Sequence, residues 1–310
     1  MGRIVKRILP DGSIRTVYPF HISLQGMETM VLCRDENDYD AMEKLFFVSA
    51  WRCNTIVIIH IVMSNHGHLS VLATDIESVR RTGELIKKNY SQYLSRKYGE
   101  SGSLSRTDID AQYLDTDWYV RNALAYIPRN ALDAGSRIDE YKWSGYDAMF
   151  FGKSHSNDTG KRVKEMTRRE RESLFRTHTD ISCVPWRVDN NGYLIHSSAC
   201  DHDYLESVFN NDPGYFLRVI GVVNTAEMEQ KLISNHHQRQ ADSEFLLNAT
   251  AIAERWFKKD ISQLTMEMKC RLIPYMSRCY RTSVSQIARC FRLDKQSVTS
   301  ILNKSGIKTA

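Results

Sequence analysis

The stretch TIVIIHIVMSNHGHLSVLAT, residues 55–74, decides how this chain is read. Its first half is rich in β-branched residues and too short to cross a bilayer, which predicts a buried strand over 55–64. A second strand follows over 66–74, so close that Asn65 sits at the turn. Residues i and i+2 of a strand point to one face, so His66 and His68 project side by side, with the small Gly67 leaving room between them. Two readings of the pair stay open. They are ligands of one divalent ion, or hydrogen-bonded histidines that finish a strand.

Upstream, TVYPFHISLQG (16–26) alternates and ends in glycine, the pattern of a first strand. Residues 38–54 place Met42, Leu45, Phe46, Val48 and Ala50 at helical spacing. Downstream, a long basic helix is expected over 76–98, with Gly99 as its C-terminal cap. ESGSLSRTDIDA (100–111) reads as a loop and 112–115 as a short fourth strand. Thr116 or Asp117 then caps a helix over 118–132, in spite of Pro128. Strand, helix, strand, strand, helix, strand is the ferredoxin-like split βαβ order. It predicts an α+β fold whose antiparallel sheet carries helices on one face. The other face is expected to stay open, which suits a nucleic-acid strand.

This domain closes near YKWSGYDAMFFG, giving 1–152. A linker is expected over 153–203: SHSNDTG as a boundary, GKRVKEMTRRERESLFR as an exposed charged helix, and VPWRVDNNGYLIH with the Asn-Gly turn of a β-hairpin. Residues 204–310 read as mainly helical. Their tail, TSVSQIARCFRLDKQSVTSILNKSG, has the pattern of a helix-turn-helix at about 282–303. Val284, Ile287 and Ala288 would face inward from its first helix, Asp294 would cap the second, and Val298, Ile301 and Leu302 would pack that helix back. Lys295, Gln296, Ser297, Thr299 and Ser300 would then meet a DNA groove, helped by Arg289. Arg292 stands at the turn, where glycine is usual. A plain helical hairpin is the competing reading.

At 310 residues, with 42% hydrophobic and 25% charged, the composition is that of an ordinary globular protein. MGRIVKRILPDG lacks a long apolar core and a cleavage site, so no secretory signal, no membrane span and a cytoplasmic location are expected. The seven cysteines form no Cys-x-x-Cys pair and read as reduced thiols. Cys200 and His202 lack the second half of a zinc site. The net charge of +5 is mild, but it is unevenly spread. Arg80, Arg81, Lys87 and Lys88 lie in one basic helix, and a second basic patch covers the tail. Such patches are contacts for a polyanion or simply solvated faces.

A third element gives the histidine pair its context. YVRNALAYIPRNALDAG (119–135) places Tyr126 on a helix with Asn130 four residues later, on the same face. With MSNHGHL, HISLQGMETMVLCRDENDYD and YKWSGYDA, it resembles the single-tyrosine HUH transposases, the group associated with repetitive extragenic palindromes, over about residues 15–152. Two departures are visible. Gly67 replaces a bulky apolar residue, and the family's Asn-Pro-Val-Arg-Ala-Gly tract is Asn130-Ala-Leu-Asp-Ala-Gly135 here. The resemblance implies Tyr126 as catalytic nucleophile and His66, His68 and Asn130 as ligands of Mg²⁺ or Mn²⁺. It further implies a single DNA strand beside a hairpin as substrate, cut and rejoined through a 5′-phosphotyrosine, by a monomer or homodimer. Tyr119, on nearly the same helix face, is the reserve nucleophile, and His21 and Gln25 are further candidates for contact with the site or with DNA. The alternative is a DNA-binding regulator that keeps the fold without the reaction.

Overall fold

The computed structural model describes residues 4–25, 31–100, 104, 108–150, 160–223, 228, 241–280 and 282–307. The chain divides into two compact units, Met1–Gln25 with Cys33–His236 and Gly26–Leu32 with His237–Ala310.

The first unit is α+β. Its elements begin β1 (Val5–Ile8), β2 (Ile14–Gln25), α1 (Glu36–Arg52), β3 (Ile56–Val62), β4 (His66–Ala73), α2 (Ile76–Tyr98), β5 (Asp108–Tyr113) and α3 (Asp117–Arg129). The sheet is antiparallel, in the order β5-β2-β4-β3. β4 therefore lies between β2 and β3, and β2 lies between β4 and β5, so each strand-helix-strand unit is split by a strand of the other. Register is set by burial, since a slip of one residue would turn the apolar set outward. His68 stands opposite Ser23 on one side and Ile61 on the other.

Two expectations about the strands change. MGRIVKRILPDG contains β1, which pairs with the start of β2 through a turn where Gly12 takes φ 81° and Leu9 N–H donates to Ser13 O at 2.9 Å. The Pro-Asp-Gly turn was its signal. β5 starts at Asp108, inside the tract read as a loop, because Ile109 and Ala111 continue the ladder with β2. The β2 strand is described to Gln25, and Gly26 lies outside the described residues. α2 keeps its expected bounds, with Asp75 as N-cap and Gly99 at φ 70°.

The faces differ from expectation. α1 and α2 pack on one side of the sheet, but α3 packs on the other, against β3 and β4. The face expected to be open is thus covered where the histidines lie. Two further helices, α5 (His202–Val208) and α6 (Pro213–Val222), pack on α3 and bury Phe209 and Phe216. The expected boundary after residue 152 therefore gives way to one near 236, because these aromatic side chains complete the first unit's core. The stretch 153–203 is no free linker either, although 151–159, with most of SHSNDTG, lies outside the described residues. Its α4 (Arg168–Phe175) ends at Phe175, which packs on Trp186, and Trp186 in turn packs on Phe47 of α1, all three buried. Its hairpin turn at Asn191-Gly192 forms, with Gly192 at φ 84°, and β6 (Lys161–Arg162) pairs with β7 (Arg187–Val188).

The second unit is helical: α7 (Asp242–Phe257), α8 (Met266–Cys279), α9 (Val284–Phe291) and α10 (Lys295–Lys304). Phe245, Leu272, Met276, Ile287, Phe291, Val298 and Leu302 make its core. No helix among the described residues is long and apolar enough to cross a membrane.

Candidate functional site

Alternation along β4 separates two environments. Gly67 faces Phe46 of α1, while the His68 ring meets Tyr126 of α3, with centroids 5.4 Å apart and planes at 70°. His66 and His68 share the α3 side, their rings 5.2 Å apart. His66 Nδ1 lies 2.9 Å from Asn65 Oδ1, an acceptor, so Nδ1 carries the proton and Nε2 carries the lone pair. His68 Nδ1 lies 3.2 Å from His21 Nε2, and the two rings stack at 5.2 Å. With Nδ1 as donor there, His68 also presents an Nε2 lone pair. His21 is therefore a positioning neighbour of His68. Gln25 pairs with His66 across the strands, but its side chain lies outside the described residues.

Thr116 caps α3 by accepting from Tyr119 N–H, and Pro128 falls near its end, where little helix remains to break. The chain tightens into a 3₁₀ turn over Asn130–Ala134 and stops at Gly135, φ 72°. Asn130 donates its amide to Tyr126 O and Ile127 O at 2.8 and 3.1 Å, which fixes the side chain one turn beyond Tyr126. His66 and His68 thus bring their imidazoles together on the α3 side, and Asn130 stands on the turn after Tyr126. Tyr119 is half-buried, and burial pushes its hydroxyl up to about 12. At most 3% of His66, His68, Tyr126 or Asn130 is exposed.

The basic residues are placed differently. Arg80, Arg81, Lys87 and Lys88 ride on α2, in the helical layer opposite the face of His66 and His68. Arg80 pairs with Glu77 and Arg81 donates to Ser78 Oγ. They do not join the histidine site.

In the second unit, Arg292 closes α9 at φ 52°, the left-handed conformation that glycine usually supplies. Asp294 caps α10 and accepts from both the backbone and the hydroxyl of Ser297. Ser297 is therefore part of the cap. Lys295, Gln296, Thr299 and Ser300 line a shallow groove, joined by Asn303 and Lys304, which the sequence reading missed despite their helical spacing. Thr299 Oγ1 donates to Lys295 O. Arg289 forms a two-point ion pair with Asp242 at 2.8 and 3.0 Å, so its charge is committed within the unit.

The sequence reading also missed a polar cluster on the other side of the sheet. His60 Nε2 and His196 Nε2 lie 2.8 and 3.0 Å from Glu43 Oε1, and His196 Nδ1 lies 2.6 Å from Asp147 Oδ1. Burial would raise the Glu43 carboxyl, but the charge of His196 and the hydrogen bonds from both rings hold it down at about 2. Burial alone would lower His196, yet the two carboxylates carry it well above the usual histidine range. His60 is pushed down, chiefly by burial. The three groups come from positions 43, 60 and 196, so no short motif announces them. Compared with family models, curated proteins and solved structures, the chain matches none.

Proposed function

We propose that the chain is a metal-dependent single-strand DNA endonuclease and strand transferase of the single-tyrosine HUH kind. The observation that carries this reading is the contact between Tyr126 and His68, with Asn130 on the next turn of the same helix. A phosphodiester is anionic and resists attack, so cleavage needs charge neutralised at its oxygens and a placed nucleophile. Mg²⁺ or Mn²⁺ held by His66, His68 and Asn130 would supply the electrophilic pull on a phosphoryl oxygen. Tyr126 Oη then bonds to phosphorus as the bond to the 3′ oxygen breaks. The phenolic proton is lost and the 3′ oxygen leaves as a hydroxyl. A 5′-phosphotyrosine remains, and attack by another strand's 3′-hydroxyl reverses the step and rejoins DNA.

A second reading is favoured by one observation: the histidines and Tyr126 are buried. A regulator that binds duplex through α10 would need no access to them. The discriminating experiment incubates the protein with a labelled hairpin-flanked single strand and Mn²⁺, followed by denaturing electrophoresis. A covalent adduct that requires metal and vanishes in Tyr126→Phe supports the enzyme. Duplex binding without any adduct sinks it.

A further inference from the structure

We propose that Glu43, His60 and His196 form a zinc centre, completed by water, that fastens the segment around residue 196 to α1 and β3. This inference stands apart from the proposed reaction, since His60 pairs with Leu69 and looks to the sheet face opposite His66 and His68.

The donor set is the first argument. Two imidazole nitrogens and one carboxylate oxygen lie within 4.8 Å of one another, all in buried side chains. Zn²⁺ takes His and Glu ligands in tetrahedral sites at about 2.0–2.2 Å, which sets donors roughly 3.3–3.6 Å apart. The observed 2.8 and 3.0 Å separations from Glu43 need to widen by only about 0.3–0.8 Å. Magnesium and calcium prefer all-oxygen shells, so two nitrogens argue for zinc over either.

Support around the ligands is the second argument. A zinc-bound histidine holds its other ring nitrogen against a carboxylate or carbonyl, which fixes tautomer and direction. Asp147 does this for His196 at 2.6 Å. His60 is held by aromatic edges instead: Phe47 lies at 5.0 Å and 82°, Phe46 at 6.4 Å and 88°. Gly145 completes the wall, because a Cβ there would stand 3.1 Å from His60 Nδ1.

Access is the third. Glu43, Asp147 and His196 line a cleft of about 310 Å³ together with Trp143 and Tyr193. The cleft gives an ion its entry path and leaves space for a water as fourth ligand. Both ends of the cross-link are anchored nearby, since Asp201 N–H donates to Val57 O at 2.7 Å and its carboxylate pairs with Arg7. A metal here would join elements more than a hundred residues apart in sequence, where loop closure leaves most to gain.

The test uses the full chain. Protein stripped with a chelator, reconstituted with Zn²⁺ and desalted should hold about one zinc per chain by elemental analysis, and Co²⁺ in its place should give the visible absorption of a four-coordinate site. His66→Ala and His68→Ala should keep that zinc, and His196→Ala should lose it. Because His196→Ala risks misfolding, Asp147→Asn is the second variant. Its side chain is mostly exposed and it ligates nothing, so it should fold normally while zinc affinity, measured against a chromophoric chelator, falls 10- to 100-fold. No zinc in the reconstituted wild type, zinc lost with His66 or His68, or unchanged affinity in Asp147→Asn would each overturn the proposal.

Discussion

The ring of Phe46 fills the space that a side chain at Gly67 would take: a Cβ there would lie 2.7 Å from Phe46 Cζ and 3.3 Å from Ile61 O. The glycine between the two histidines is therefore a packing partner of α1. Gly67→Val should destabilise the first unit by about 1–3 kcal/mol through overpacking. Shrinking the neighbour tests the cause. Phe46→Leu should cost stability alone yet recover part of the loss when combined with Gly67→Val, giving a coupling of about 0.5–3 kcal/mol in denaturant melts. Strict additivity would show that the two positions do not compete for one volume.

Much of this arrangement was legible before the fold was known, for a physical reason. β3, β4 and α2 carry strong local signals, β-branched runs and a capped amphipathic stretch, and with the strand and helix before them and the strand after them they read as the split βαβ order. Glu43, His60 and His196 carried none, because their proximity is a product of tertiary packing. The covering of the histidine face by α3, α5 and α6 was hidden likewise: an amphipathic helix announces that it has an apolar face, not which surface receives it. Arg292 marks the opposite limit, since the left-handed turn exists although its residue argued against it.

Asp38 ties the start of α1 to the end of α2. It accepts from Arg34 N–H, Tyr93, Tyr98 and Lys97 at 2.9, 2.8, 2.7 and 2.6 Å. Burial alone would raise its carboxyl, but these donors, Lys97 foremost, hold it below the ordinary 3.8. A lowered folded value means that the charge stabilises the fold above pH 3.8, and that this contribution drains away as pH falls through the folded value. Asp38→Asn should cost about 1.5–3 kcal/mol at pH 7. The gap between wild type and variant should close below pH 3.8 in urea melts. A gap independent of pH would mean that the carboxylate's charge does not matter.

Exposed Lys295 at the start of α10 and paired Arg289 on α9 should behave differently toward DNA. Lys295→Ala should weaken duplex binding across sequences and lower the slope of log affinity against log salt by about 1, since one phosphate contact is lost. Arg289→Ala should leave that slope unchanged. Its effect should appear in stability, because it leaves Asp242 without its two-point partner. A slope that falls equally in both variants would show that Arg289 abandons Asp242 to reach phosphate.

Truncation separates the two boundaries. Ending the chain after residue 203 removes the buried Phe209, Phe216 and Ile220, each worth about 1.5–3 kcal/mol of apolar burial, and uncovers α3 with its Tyr126. That protein should melt far lower or fail to fold, and it should lose cleavage of every substrate. Ending after residue 236 removes only the helical second unit's α7 to α10. The shorter chain should stay folded and still cut a bare single strand, while its affinity for hairpin DNA drops and its salt dependence flattens, because a helix in the major groove requires duplex. Circular dichroism melts and cleavage assays on both substrates, at two salt concentrations, read the outcome. Equal loss with both truncations would place the helical unit within the catalytic assembly, and would remove the division of labour between a strand-cutting unit and a duplex reader.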